Sequence, residues 1–176
     1  YYDKHYIDAF RLECKAILYA RKEMKMKNIS ILIPFCRTPE ECEKVNSILE
    51  EENLKRGYYG LEVHLTCELP SNVIEADLFS KHIDGTSIGG NDLLQLTLGV
   101  DRDSEKITTL SDNNNISYRR MIKIAIDSYR KHGIKVGFCG QQPSDSNEFC
   151  DFLIDIGIDS LSVTPDSILK VYHHLS

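Results

Sequence analysis

Short apolar runs alternate with stretches of helical periodicity along this chain, and that alternation constrains the fold more than any other feature. Five runs read as strands: 29–35, 61–67, 84–88, 134–138 and 159–163. Between them apolar residues recur at helical spacing, as at Cys42, Val45, Ile48 and Leu49. Each strand-plus-helix unit takes about thirty residues, the length of a βαβ unit. Strands joined through crossover helices make a parallel sheet with right-handed connections.

Local signals place the helices between the strands. Residues 10–21 form the first. Thr38-Pro39-Glu40-Glu41 supplies an N-cap, a first-turn proline and a capping-box glutamate for the second, which Gly57 is expected to stop. Residues 70–80 and 91–98 form two short helices, and 99–116 is a polar, irregular stretch. Ser117 is expected to cap a long helix that runs to His132 and stops at Gly133. A helix over 145–156 follows, and Thr164-Pro165 opens a C-terminal one.

Two architectures satisfy this pattern, an open doubly wound sheet and part of a (β/α)8 barrel. No G-x-G-x-x-G follows the first strand and no Walker sequence occurs, which disfavours the nucleotide-binding open sheets. A complete barrel takes about 250 residues, and this chain has 176. As a barrel it is an incomplete α/β one, a single domain over 1–176 with about five of the parallel strands. It also begins abruptly in helix-like sequence, as a fragment would.

Composition removes several function classes. A net charge of −6 argues against a nucleic-acid or membrane surface, since either needs a basic patch. No apolar run approaches the ~20 residues of a membrane span, and no signal peptide opens the chain, so a cytoplasmic protein is expected. The six cysteines form no C-x-x-C pair and have no histidines at ligand spacing, which favours reduced thiols over disulfides or zinc.

In parallel α/β folds, chemistry is done at the carboxyl ends of the strands. Cys139-Gly140-Gln141-Gln142 follows the run 133–138 there, and Ser87-Ile88-Gly89-Gly90-Asn91-Asp92 and Cys67-Glu68 end two others. Glu68 alone reads as a charge at a helix N-terminus and Asp92 alone as a helix cap. Together at adjacent strand ends, two carboxylates with open positions for water and substrate suit Mg2+. Gly89-Gly90-Asn91 is a glycine turn that presents backbone N–H groups and a positive helix end to an anion, though structural turns use glycine the same way. Arg102 either clamps a carboxylate or phosphate or pairs with Asp101 or Asp103. Cys139 is a small buried hydrophobe or, at a strand end, an acid, base or nucleophile.

The segments IPFCRTPEECEKV, GLEVHLTCELPSNVIEADLFSKHIDGTSIGGNDLLQLTLGVDRDS and GFCGQQPSD strongly resemble the C-terminal domain of the phosphoenolpyruvate synthases (pyruvate, water dikinases). The likeness covers essentially the whole chain. Pyruvate phosphate dikinases and enzyme I of the sugar phosphotransferase system are relatives, and the continuation Gln141…Pro143-Ser144-Asp145 favours the synthases. The resemblance implies a (β/α)8 barrel that binds pyruvate or phosphoenolpyruvate (PEP) with Mg2+, and a phosphohistidine domain of the parent chain as phosphoryl donor. It implies Glu68 and Asp92 as Mg2+ ligands and Gly89, Gly90 and Asn91, beside Asp92, as substrate-binding groups. Arg102 corresponds to a phosphate-binding arginine, and Cys139 to the acid/base at the substrate methyl carbon. The family usually has Ser or Thr at Gly90 and Thr at Leu94, so both positions depart from it. The five strands correspond to the last five of eight, so the fragment alone is expected to be inactive. Its open edges and apolar inner face are expected to drive dimerisation. The alternatives are a dikinase or enzyme I-like component, or a non-catalytic interaction domain derived from the barrel.

Overall fold

The computed structural model describes residues 1–101 and 112–176. In chain order it contains α1 (Ile7–Lys22), β1 (Ile31–Ile33), α2 (Pro39–Glu51), β2 (Val63–Cys67), α3 (Pro70–Ile74), α4 (Ala76–Phe79), β3 (Gly85–Gly89) and α5 (Gly90–Leu98). Then come α6 (Ile116–Lys131), β4 (Lys135–Cys139), α7 (Gln142–Asp145), α8 (Asn147–Asp155), β5 (Ser160–Leu161) and α9 (Ile168–Leu175).

The strands pair in chain order, β1-β2-β3-β4-β5, and every pairing is parallel. A doubly wound sheet reverses its strand order at a switch point. An order that never reverses, joined by right-handed crossovers, keeps the helices on one face, as in a barrel wall. The sheet is therefore an open arc of five parallel strands, with β1 and β5 as edges.

The core lies between that arc and its helices. Ile31, Ile33, Val63, Leu65, Cys67, Ile88, Val136 and Phe138 fill the helix-facing side of the strands, packed with Val45, Leu49, Ile122 and Ile126. Phe138 meets Phe149 edge-on at 5.4 Å, which ties β4 to α8. At the opposite end of the strands the buried Arg21 donates to the carbonyls of Lys27, Ile29 and Tyr59, and so fixes the loops there.

The other face of the sheet corrects the expectation of an apolar inner surface. Strand alternation puts His64, Thr66, Gly85, Ser87, Gly137 and Ser160 there. A Cβ on Gly85 would meet the His64 ring at 2.6 Å, and one on Gly137 would meet Ser160 Oγ at 2.7 Å. Small and polar side chains line this face, and Leu32 is its exposed apolar member.

Several boundaries shift for local reasons. Helix α2 begins as read, with Thr38 Oγ1 accepting from the Glu41 N–H at 3.2 Å, but Glu41 reaches back to the Arg37 N–H rather than to that of Thr38. Its stop is Asn53, two residues past its last helical residue Glu51, rather than Gly57. Asn53 adopts φ 63°, and the Leu54 N–H donates to Leu49 O at 2.8 Å, the Schellman closure. Asn115, not Ser117, caps α6, its Oδ1 accepting from the Ser117 and Tyr118 N–H groups. The stretch 70–80 breaks at Glu75 into α3 and α4. The stretch 145–156 starts earlier and breaks at Ser146, whose extended backbone ends α7 and whose Oγ caps α8.

Candidate active site

The carboxyl ends of β1 to β4 bring the sequence-identified residues to one rim. Glu68 leaves β2 with 7% of its surface exposed. Its Oε1 accepts from the Phe35 N–H at 2.7 Å, just beyond β1. Phe35 holds φ 51°, an unusual conformation for a large residue, and this aims its N–H at the carboxylate. Burial and the charge of Asp92 push the Glu68 carboxyl above its ordinary range, with the Phe35 hydrogen bond opposing them. Glu68 and Asp92 therefore share one electrostatic neighbourhood, although they follow different strands.

Glycine is required beside them. Gly89 ends β3 in register with Cys139 of β4. A Cβ on Gly89 would lie 2.7 Å from both Cβ and Oε2 of Glu68, so any side chain there would displace the carboxylate. A Cβ on Gly90 would lie 2.4 Å from Phe138 Cζ and 2.9 Å from the Tyr118 hydroxyl, which donates to Gly90 O at 3.0 Å. Glycine at 90 is thus enforced by its neighbours in this chain. Leu94 is buried and packs in the core.

Asn91 and Asp92 stand in the first turn of α5, whose N-cap Gly89 offers no side-chain cap. The opening N–H groups of that helix therefore have no capping oxygen from the N-cap side chain, the condition in which a helix end accepts an anion. Cys139 is half-buried at the end of β4. Burial raises its thiol pKa, the charges of Glu68 and Asp92 add to this, and a hydrogen bond with Ser87 opposes it. Cys67, by contrast, is fully enclosed and pushed up to about 12 by burial, which makes it an inert core thiol. Arg102 lies outside the described residues.

Asn72 is a site residue that sequence reading missed. Fully buried, it accepts from the Glu68 and Leu69 N–H groups with Oδ1 and donates to Cys36 O at 2.7 Å with Nδ2. The Tyr129 hydroxyl donates to Asn72 O at 2.9 Å. Asn72 thus clamps the loop after β1 to the loop after β2 and sets where Glu68 sits. Its one visible signal was a polar residue on the buried stripe beside Val73 and Ala76.

Among the described residues no group of three or more His, Cys, Asp and Glu side chains is placed to hold a metal. Two carboxylates that repel each other, one with Oε2 clear of the Phe35 bond, still suit a hard cation that keeps most positions for water and substrate oxygens. The arrangement can hold a divalent cation, receive an anion at a helix end and offer a thiol beside both.

The chain is 52% identical to the phosphoenolpyruvate synthase of Synechocystis sp. over 170 residues, 97% of this chain and 21% of that protein. It is 51% identical to that of Aquifex aeolicus over 97% of this chain and 20% of that protein. With the Escherichia coli phosphoenolpyruvate synthase it shares 41% identity over 100% of this chain and 22% of that protein. The chain thus spans about a fifth of the length of these relatives. In fold alone it is similar to the crystal structure of RipC from Yersinia pestis, with TM-score 0.57, 9% identity, and 84% of this chain and 63% of that one covered. A variant of the citrate synthase SbnG gives TM-score 0.52 at 17% identity, covering 83% and 59%. The family described as PEP-utilising enzyme, PEP-binding domain matches residues 2–176, and the chain belongs to it.

Proposed function

We propose that this chain is the C-terminal part of the PEP/pyruvate-binding barrel of a phosphoenolpyruvate synthase. The parent enzyme moves a phosphoryl group from a phosphohistidine on another of its domains to the enolate of pyruvate. Over the cycle ATP, pyruvate and water become AMP, PEP and phosphate. The observation that carries this reading is the convergence of Glu68, Asp92 and Cys139 on one rim, around a glycine turn that admits no side chain. Intact Glu68, Asp92 and Cys139 speak against a barrel that has lost its chemistry.

In this reading Glu68 and Asp92 hold Mg2+, and the N–H groups of Gly89 and Gly90 with the Asn91 amide receive the substrate's anionic oxygens. Bound there, Mg2+ would hold negative charge on the enolate oxygen and lower the cost of forming it. Cys139 moves the proton at C3: its thiolate accepts a methyl proton as the enolate forms, and its thiol returns one when PEP reverts to pyruvate. In the synthase direction, once the methyl proton has passed to Cys139, the enolate oxygen attacks phosphorus as the N–P bond to histidine breaks, and the imidazole leaves with the electron pair. Burial raises the thiol pKa, which favours the proton-donating form that serves the return of PEP to pyruvate. In the synthase direction the same raised pKa makes the thiolate, once formed, the stronger base toward the methyl proton.

The full-length protein that carries this chain is expected to form AMP from ATP only with pyruvate, and without added phosphate. Strict phosphate dependence with pyrophosphate release would instead assign it to the dikinases. No AMP in either condition would leave the interaction-domain reading.

Alone, the chain is expected to associate as a homodimer through the unpaired edges β1 and β5, with Leu32 exposed beside one of them. Light scattering at tens of micromolar checks this, and a monodisperse monomer would contradict it.

A further inference from the structure

Gln142 makes a contact that the reaction above leaves unused. The side chain is only 4% exposed, yet it opens α7 beside the rim. Its Nε2 donates to Asn91 Oδ1 at 3.1 Å. Its Oε1 is buried with no hydrogen-bond partner among the described residues. An unpaired buried carbonyl is costly, so the amide must be held there by something other than its own satisfaction. The surrounding glycines make room for it: a Cβ on Gly90 would lie 2.8 Å from this oxygen, and one on Gly140 only 2.4 Å.

The bond has a directional consequence. A carboxamide has two orientations of nearly equal shape, one presenting its oxygen and the other its N–H donors. In the structure Gln142 faces Asn91 with Nε2, a donor, and with Gln142 so placed the end of Asn91 that meets it is Oδ1. The Asn91 NH2 is then the end left for a ligand. Without that bond the amide is free to turn and present an oxygen to an anion, which it would repel.

We infer that Gln142 is a positioning residue that acts through Asn91, holding the Asn91 donors toward the substrate's anionic oxygens. The inference rests on the PEP-site reading of this rim. It also accounts for the coincidence of glycine at 90 with a buried glutamine at 142, since a side chain at 90 would meet the Gln142 head.

The test is calorimetric titration of PEP, with Mg2+ present, into the full-length protein and its variants. Gln142→Met keeps length and volume, drops the amide and removes the unpaired oxygen. If Gln142 only fills space, this variant binds PEP as the wild type does. If it orients Asn91, affinity falls about tenfold, the worth of one directed hydrogen bond. In an Asn91→Ala background the same change then adds less than about twofold, because the group it acts through is gone. Wild-type affinity in Gln142→Met, or losses that multiply fully in the double variant, would overturn the inference and leave the PEP site standing. Absence of PEP binding in the wild type would overturn the functional reading and this inference with it. Gln142→Leu serves the same comparison should the methionine variant fail to fold.

Discussion

Replacing Cys139 with alanine is expected to lower pyruvate-dependent AMP formation by about 10²–10⁴-fold, the range for removing a positioned acid or base. The substitution deletes one half-buried sulfur at the end of β4, where the neighbouring Gly89 and Ser87 backbones hold the strand. It leaves Glu68, Asp92 and the α5 N-terminus in place, so PEP affinity in Mg2+ is expected to hold within about threefold. This split between turnover and binding separates the two readings of the thiol. A core filler would give the reverse, near-normal turnover in whatever fraction folds, and a loss of turnover under about tenfold would return Cys139 to that role.

The second large effect is expected at Glu68, in opposite directions for stability and activity. The buried carboxylate is held above its ordinary pKa by desolvation and by Asp92. The folded state therefore holds that proton more tightly than the unfolded chain does. It gains stability as pH falls through the folded pKa, and carries an unfavourable charge above it. The substitution Glu68→Gln would keep an oxygen to accept the Phe35 N–H and remove that charge. Near neutral pH without metal, the variant is expected to be more stable by about 1 kcal/mol, or about 2–4 °C in Tm for a domain of this size. With excess Mg2+ the wild type gains by mass action and the gap narrows, while the variant gains little. Turnover is expected to fall at least about 10²-fold with the charge that holds the cation. Thermal unfolding in EDTA and in Mg2+ checks both signs. A glutamine variant less stable than wild type in EDTA would mean that the carboxylate serves the fold rather than the site.

Such opposition is common where a fold concentrates charge for use rather than for stability. It also explains what the sequence could reveal. The alternation of strands and helices, the Thr38-Pro39 start and the Gly133 stop are local signals, and the structure keeps them. Helix ends with more than one candidate were harder to read. Asn53 terminates α2 before Gly57 because its own left-handed backbone lets the Leu54 N–H close on Leu49 O, and Asn115 is the α6 cap because its Oδ1 reaches the Ser117 and Tyr118 N–H groups. The break at Glu75 left no trace in apolar spacing, which continues across it, and the break at Ser146 falls in the polar run Ser144-Asp145-Ser146-Asn147-Glu148, where there is no apolar spacing to read.

Glu68, Asp92 and Cys139 were legible because their places at strand ends are fixed by chain order in any parallel α/β sheet. The residues that hold them were not. Asn72 reaches Cys36, Tyr118 reaches Gly90 and Gln142 reaches Asn91, across 36, 28 and 51 positions of sequence. No local pattern encodes such pairings. The polarity of the sheet's inner face was hidden for a related reason, since it emerges only when register aligns Gly85 with His64 and Gly137 with Ser160.

The most direct measurement is calorimetric titration of PEP into the full-length protein and into its Asp92→Asn variant, each with Mg2+ and with EDTA. The account predicts saturable binding to the wild type in Mg2+, a large loss in EDTA, and the same loss in Asp92→Asn whether or not the metal is present. PEP binding that is unchanged by EDTA and by Asp92→Asn would place the ligand elsewhere and contradict the site on this rim.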